Sequence, residues 1–163
     1  MSAAALKMLG SALLALAGAL LGGRMLDAQR ELRRALLSLS DALGRLSGEL
    51  TERQTPLPEA FAMLTDEPFF ALLSASFGTE PTEALWRRAA LSLPLPEDCQ
   101  TALASLGCVA GRYGAAQQAA EIARVRRVLT ARAAALQAEI DARGRRLPGL
   151  GAAVGAMLAV LLF

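Results

Sequence analysis

TERQTPLPEAF, residues Thr51 to Phe61, sets Pro56 and Pro58 between a charged segment and an apolar one. Each proline removes a backbone donor and fixes φ, so a helix arriving from the N-terminal side ends by about Thr55. Thr55 then reads as the N-cap of a new helix, with Pro56 in its first turn and Glu59 near the positive end of its dipole. The stretch is a corner at which a long helix turns back.

Upstream of the corner, Leu32, Leu36, Leu39, Leu43, Leu46 and Leu50 alternate spacings of four and three, a heptad stripe on one helical face. One heptad further back the stripe reaches Met25, with polar Gln29 in the seam. Far downstream, Ile122, Val125, Leu129, Ala133, Leu136 and Ile140 repeat the pattern. As helices the two segments are about 45 Å long each. Two helices of matched length, each with one narrow apolar face, are best satisfied by packing antiparallel as a stalk.

Between them, TPLP, DEP at Asp66–Pro68, GTEP at Gly78–Pro81, LPLPED at Leu93–Asp98 and GRYG at Gly111–Gly114 punctuate the chain. Proline and capping residues at these breaks predict helices over about 57–65, 68–77, 80–92 and 96–110, folded over the distal end of the stalk. Phe69, Phe70, Leu73 and Phe77 form one apolar face, Leu103, Leu106 and Val109 another, and Trp86 reads as core. The composition agrees. Of 163 residues 54% are hydrophobic but only 4% aromatic, so the apolar content is Ala and Leu, which favour helices over strands. The expected fold is all-α, an antiparallel helical bundle on a two-helix stalk.

Two uncharged runs stand apart, Met8–Gly23 and Leu147–Phe163. Each approaches the length that crosses a hydrocarbon core of about 30 Å. They divide the chain into an N-terminal transmembrane helix at 1–23, a helical-bundle domain at 24–146 and a C-terminal transmembrane helix at 147–163. Arg24, Arg30, Arg33 and Arg34 follow the first run and Arg143, Arg145 and Arg146 precede the second, which by the positive-inside rule holds the central domain in the cytoplasm. The alternative for the first run, a cleaved signal peptide ending near Ala15–Gly18, is opposed by that arginine flank. Small residues four apart, Gly18 with Gly22 and Gly151 with Gly155, suit close helix packing in lipid.

The chemistry is narrowed by what the chain lacks. It holds no histidine, and Cys99 and Cys108 lie nine residues apart, so a Cys/His zinc site and a His-based nucleophile are excluded, and buried reduced thiols are expected. Asp66-Glu67 and Glu97-Asp98 serve helix starts more cheaply than acid catalysis. GCVAGRYGAAQQ lacks the GK[ST] of a phosphate loop, and the basic return helix lacks the aromatics of a nucleic-acid surface. No catalytic, metal or cofactor site is expected, and no nucleic-acid partner. Charge is segregated: Thr55–Asp98 holds seven acids against Arg87 and Arg88, a net of −5, whereas Cys99–Arg146 carries a net of +5. The segregation reads either as solvated faces with dipole-compensating caps or as an acidic cap and a basic return helix presented to different partners. Glu59, Glu80 and Glu83, expected exposed in first helical turns, are the candidate contacts on the cap, and Arg124, Arg126 and Arg127 those on the return helix.

The order of elements is itself a signature. An anchor, a long helix, TPLPEAF, EALW at Glu83–Trp86, LGCVAGRYGAAQQ at Leu106–Gln118, a long helix and a glycine-containing C-terminal anchor together resemble the stage III sporulation protein AB family of endospore-forming bacteria, over nearly the whole chain. Pro56, Leu57, Glu59, Ala60, Trp86, Leu106, Gly107, Gly111 and Gln118 carry the resemblance. At Tyr113-Gly114 this chain departs from the serine-aspartate pair expected there, which removes an N-cap from the return helix. The resemblance implies a helical domain like the cytoplasmic repeat of type II secretion F proteins, in a two-pass protein of the mother cell membrane facing the forespore. It implies a platform in the channel assembly that joins the two cells, meeting a cytoplasmic secretion-type ATPase, stage III sporulation protein AA, and other stage III sporulation channel proteins, and it is compatible with a homo-oligomer. The alternative is a small F-protein-like inner-membrane component of another secretion or pilus assembly system.

Overall fold

The computed structural model describes the backbone of residues 3–162 and the side chains of residues 24–143. Six α-helices follow one another: α1 (Ala3–Thr51), α2 (Leu57–Ala62), α3 (Pro68–Ser76), α4 (Thr82–Ser92), α5 (Glu97–Ser105) and α6 (Ala115–Leu162), with a 3-10 turn at Leu106–Cys108 after α5. The all-α expectation holds, and so do the four short helices, with shorter ends. α4 starts only at Thr82, and the segment expected to be helical to 110 tightens into the 3-10 turn. The chain forms two compact units, one of Met1–Leu32 with Leu136–Phe163, the other of Arg33–Ala135. In the first, Leu136 and Ile140 are buried, but Met25 is 57% exposed. The leucine stripe is therefore a buried seam only from Leu36 onward, not from Met25. Among the described residues no helix is long and apolar enough to cross a membrane. The runs at 1–23 and 147–163, with Gly18, Gly22, Gly151 and Gly155, lie outside the residues whose side chains are described.

In the unit Arg33–Ala135, the stripe of α1 is buried at Leu36, Leu39, Leu43, Leu46 and Leu50, and that of α6 at Ile122, Val125, Leu129 and Ala133. The two helices run antiparallel: Gly44 lies against Arg126, and Leu46 and Leu50 share a small apolar crevice with Gln118 and Ile122. The heptad spacing on each helix is what lets both stripes face one seam.

At the corner, Gln54 takes a φ of 52°, a left-handed conformation that swings the chain back beneath the helix end. The Thr55 N–H donates to the Glu49 carbonyl at 3.0 Å and its hydroxyl donates to the Glu49 carboxylate, also at 3.0 Å. Thr55 is therefore not the N-cap of α2. With its hydroxyl committed to α1, the start of α2 falls to Pro56, whose carbonyl accepts from the Ala60 N–H at 3.0 Å. The double proline does reverse the chain. The short helices are not confined to the far end, however. Arg45 pairs with Asp66 at 3.1 Å and Ser38 donates to Glu67, tying the α2–α3 junction along the side of α1. Similarly, Ser105 at the end of α5 meets Arg124 of α6 at 2.9 Å.

The second part of the core is aromatic. Phe61, Phe69, Phe70 and Trp86 are all essentially inaccessible. Phe69 meets Trp86 edge-on at 5.2 Å and Phe70 at 5.3 Å between ring centroids. Phe77, placed with this face by its spacing, ends α3 and turns its edge to Phe61 at 5.7 Å. α4 lies against the 3-10 turn because Gly107 carries no side chain: a Cβ there would stand 2.7 Å from Trp86 Cβ and 3.0 Å from Glu83 Cα. The second of these is backbone and cannot swing aside. Gly107→Ala should therefore destabilise the chain by about 1–3 kcal/mol, the usual cost of overpacking. A urea midpoint equal to wild type would show that α4 shifts away at no cost.

Candidate interaction surface

Two of the three candidate carboxylates, Glu80 and Glu83, meet arginines of the chain. Glu59, in the first turn of α2, is exposed as expected. Glu80 is not: it precedes α4 rather than opening it, is half-buried, and pairs with Arg88. Glu83 is half-buried and stands between Arg87 at 2.9 Å and Arg112 at 3.9 Å. Only the Glu83–Arg87 pair, four apart on one helix, was legible from spacing. Such exposed pairs contribute about 0–1 kcal/mol each. They nevertheless cancel much of the local negative charge. Of the three carboxylates expected to be exposed only Glu59 is; Glu80 is half-buried beside Arg88, and Glu83 is half-buried between Arg87 of its own helix and Arg112, which tertiary packing brings up.

The three arginines of α6 separate as well. Arg124 turns toward α5, donating to Glu121 at 2.8 Å and to Ser105 Oγ at 2.9 Å. The hydrogen bond from Arg124 holds the Glu121 carboxyl below its usual range against the opposing effect of burial, and the same bond raises Arg124. Arg126, two residues on, points about 200° away around the helix. With Arg127, Ala120, Ala123 and Thr130 of α6 and Ser40 of α1 it lines an open groove. No ion pair forms at Arg126 or Arg127 among the described residues.

Arg126 also reaches beyond the groove lining to the neighbouring helix. The Arg126 guanidinium lies against α1 at Gly44, where a Cβ would stand 2.9 Å from its Cζ and 3.1 Å from both terminal nitrogens. Its Nε is buried without a hydrogen-bond partner. So is the Oγ of Ser40, a residue only 1% exposed. Buried polar atoms are ordinarily satisfied, and leaving one unpaired costs about 1–3 kcal/mol. Ser40 and Gly44 were missed by the sequence reading, which followed the leucines. The visible signal is a row of small residues at spacings of four and three, Ser40, Gly44 and Ser47, flanking the leucine stripe on α1.

The two thiols also part company. Cys99 is buried and Cys108 exposed, and both are free. Burial first, then the adjacent Asp98 carboxylate, pushes the Cys99 thiol up to about 11, against a smaller opposing effect of Arg132. Cys108 departs from the expectation of two buried thiols because the 3-10 turn buries Leu106 and Gly107 and so directs the next side chain outward. No group of three or more Cys, Asp or Glu able to hold a metal ion occurs among the described residues.

A family model described as stage III sporulation protein AB matches residues 7–163. Searches of curated proteins and of solved structures found no match.

Proposed function

The chain belongs to the stage III sporulation protein AB family, whose members act in the third stage of sporulation and are not known as enzymes; from that premise we propose that it is a membrane platform in the channel assembly joining mother cell and forespore. On this reading 1–23 and 147–163 are membrane helices packed through Gly18, Gly22, Gly151 and Gly155. The central domain, 24–146, lies in the cytoplasm of the mother cell. There it binds a cytoplasmic secretion-type ATPase, stage III sporulation protein AA, and works by protein–protein contact rather than catalysis.

The observation that carries this reading is the extent of the family match, which runs through the arginine flanks and both apolar runs as well as the bundle between them. Unpaired charge on the bundle supports the contact. Of the six candidate contacts, Glu80, Glu83 and Arg124 are largely answered by charges of the chain itself, and Glu59, Arg126 and Arg127 are the three without an ion pair among the described residues.

The topology has a built-in reporter in exposed Cys108, while buried Cys99, its thiol protonated at neutral pH, stays silent. A maleimide that cannot cross membranes should leave Cys108 unlabelled in intact cells and label it after permeabilisation. Labelling of Cys108 before permeabilisation would invert the topology. The full-length chain extracted in mild detergent should also retain the ATPase. Its absence from the purified complex, at low salt as well as high, would remove the platform reading.

A further inference from the structure

We infer that the groove of Ser40, Arg126, Arg127 and Thr130, with Gly44 beneath the Arg126 guanidinium, is a socket for a carboxylate on an acidic segment of a protein partner. The inference rests on the platform reading only for where such a partner comes from.

Three features of the groove point to an anionic occupant. Two arginines, Arg126 and Arg127, share one lining, and no carboxylate among the described residues pairs with either. A guanidinium presents a planar fork of donors that matches a carboxylate. Ser40 is a lining residue, 1% exposed, whose buried hydroxyl has no partner within the chain and so keeps a donor to offer an oxyanion that enters the groove. Arg126 is held in place by contact with Gly44 rather than left to wander, so little side-chain freedom is lost on binding.

The form of the groove selects among anions. Arg126 is half-buried and lies against the neighbouring helix instead of projecting from the surface. A flat layer of lipid headgroups meets protruding basic side chains, whereas a recessed guanidinium is reached by a side chain that projects into it. Ala120 and Ala123 supply an apolar wall against which the methylenes of a glutamate can lie. The occupant is therefore an acidic, glutamate-bearing helix or strand of a protein.

Gly44 makes the idea separable from general electrostatics. Gly44→Ala removes no charge and improves intrinsic helix propensity, yet its Cβ must push the Arg126 guanidinium aside. The expected result is a chain that melts no lower than wild type and binds less well.

The full-length chain in detergent is titrated, by fluorescence anisotropy, with a labelled helical peptide bearing glutamates and with its glutamine counterpart. The glutamate peptide should bind about tenfold tighter than the glutamine one, with affinity falling as salt is raised. Gly44→Ala, Arg126→Ala and Ser40→Ala should each weaken it, the first two by about tenfold, which corresponds to about 1.4 kcal/mol. Equal affinity of Gly44→Ala and wild type, or displacement of the peptide by phosphatidylglycerol but not by phosphatidylcholine added to the detergent micelles, would overturn the socket. Capture of the ATPase by wild type and Gly44→Ala alike would also refute the socket and leave the platform standing. Loss of ATPase capture by wild type, with peptide discrimination intact, would retain the socket and remove the platform.

Discussion

Phe61→Ala lowers the unfolding free energy of the chain by about 3–5 kcal/mol, the range for truncating a buried aromatic side chain. Phe61 is fully buried and touches three rings, Phe70 at 6.0 Å, Phe77 at 5.7 Å and Trp86 at 5.9 Å between centroids. It therefore joins α2 to α4 and to the end of α3 at once, and its loss leaves a cavity that no neighbouring side chain can fill without leaving its own contacts. Each such aromatic pair contributes about 0.5–1.5 kcal/mol beyond area burial. Trp86 is the chain's single tryptophan and borders the site, so its fluorescence reports the change directly in a urea titration of the full chain in detergent. A midpoint unmoved by the substitution would mean that the short helices do not depend on this cluster.

Leu43→Ala costs about 2–5 kcal/mol. Leu43 is fully buried in the middle of the α1 stripe, with Leu39 and Leu46 before and after it on the same seam. The helix itself tolerates alanine, which ranks above leucine in propensity, so the loss comes from tertiary packing. Leu91 on α4, 63% exposed, is the control: Leu91→Ala should stay within about 0.5 kcal/mol of wild type. If Leu43→Ala and Leu91→Ala melt alike, the stripe is not buried within the chain and serves an external partner.

These two positions differ in how visible they are beforehand. Leu43 is legible because the heptad spacing names its face and because a stripe that long has to be covered. Phe61 is legible only as a hydrophobic residue after a double proline. That it sits among rings drawn from Phe70, Phe77 and Trp86 depends on how three short helices cross, and no local period encodes that.

What the sequence determined by itself is local or repetitive. Pro56 and Pro58 end one helix and begin another because a ring closes φ and removes a donor wherever it stands. Leu36 to Leu50 and Ile122 to Ala133 announce two facing seams through a repeat that any straight helix expresses on one side. The family followed from the order of such elements along the chain. What the tertiary structure alone decided is pairing at a distance. Thr55 looked like a cap until Glu49 took its hydroxyl. Glu80 looked exposed until the turn before α4 brought it to Arg88, and Arg124 and Arg126 looked equivalent until the helix turned one to Ser105 and the other to Gly44. A side chain's partners are set by which surfaces the packed helices bring within a few ångströms, and spacing along one helix specifies only its own face.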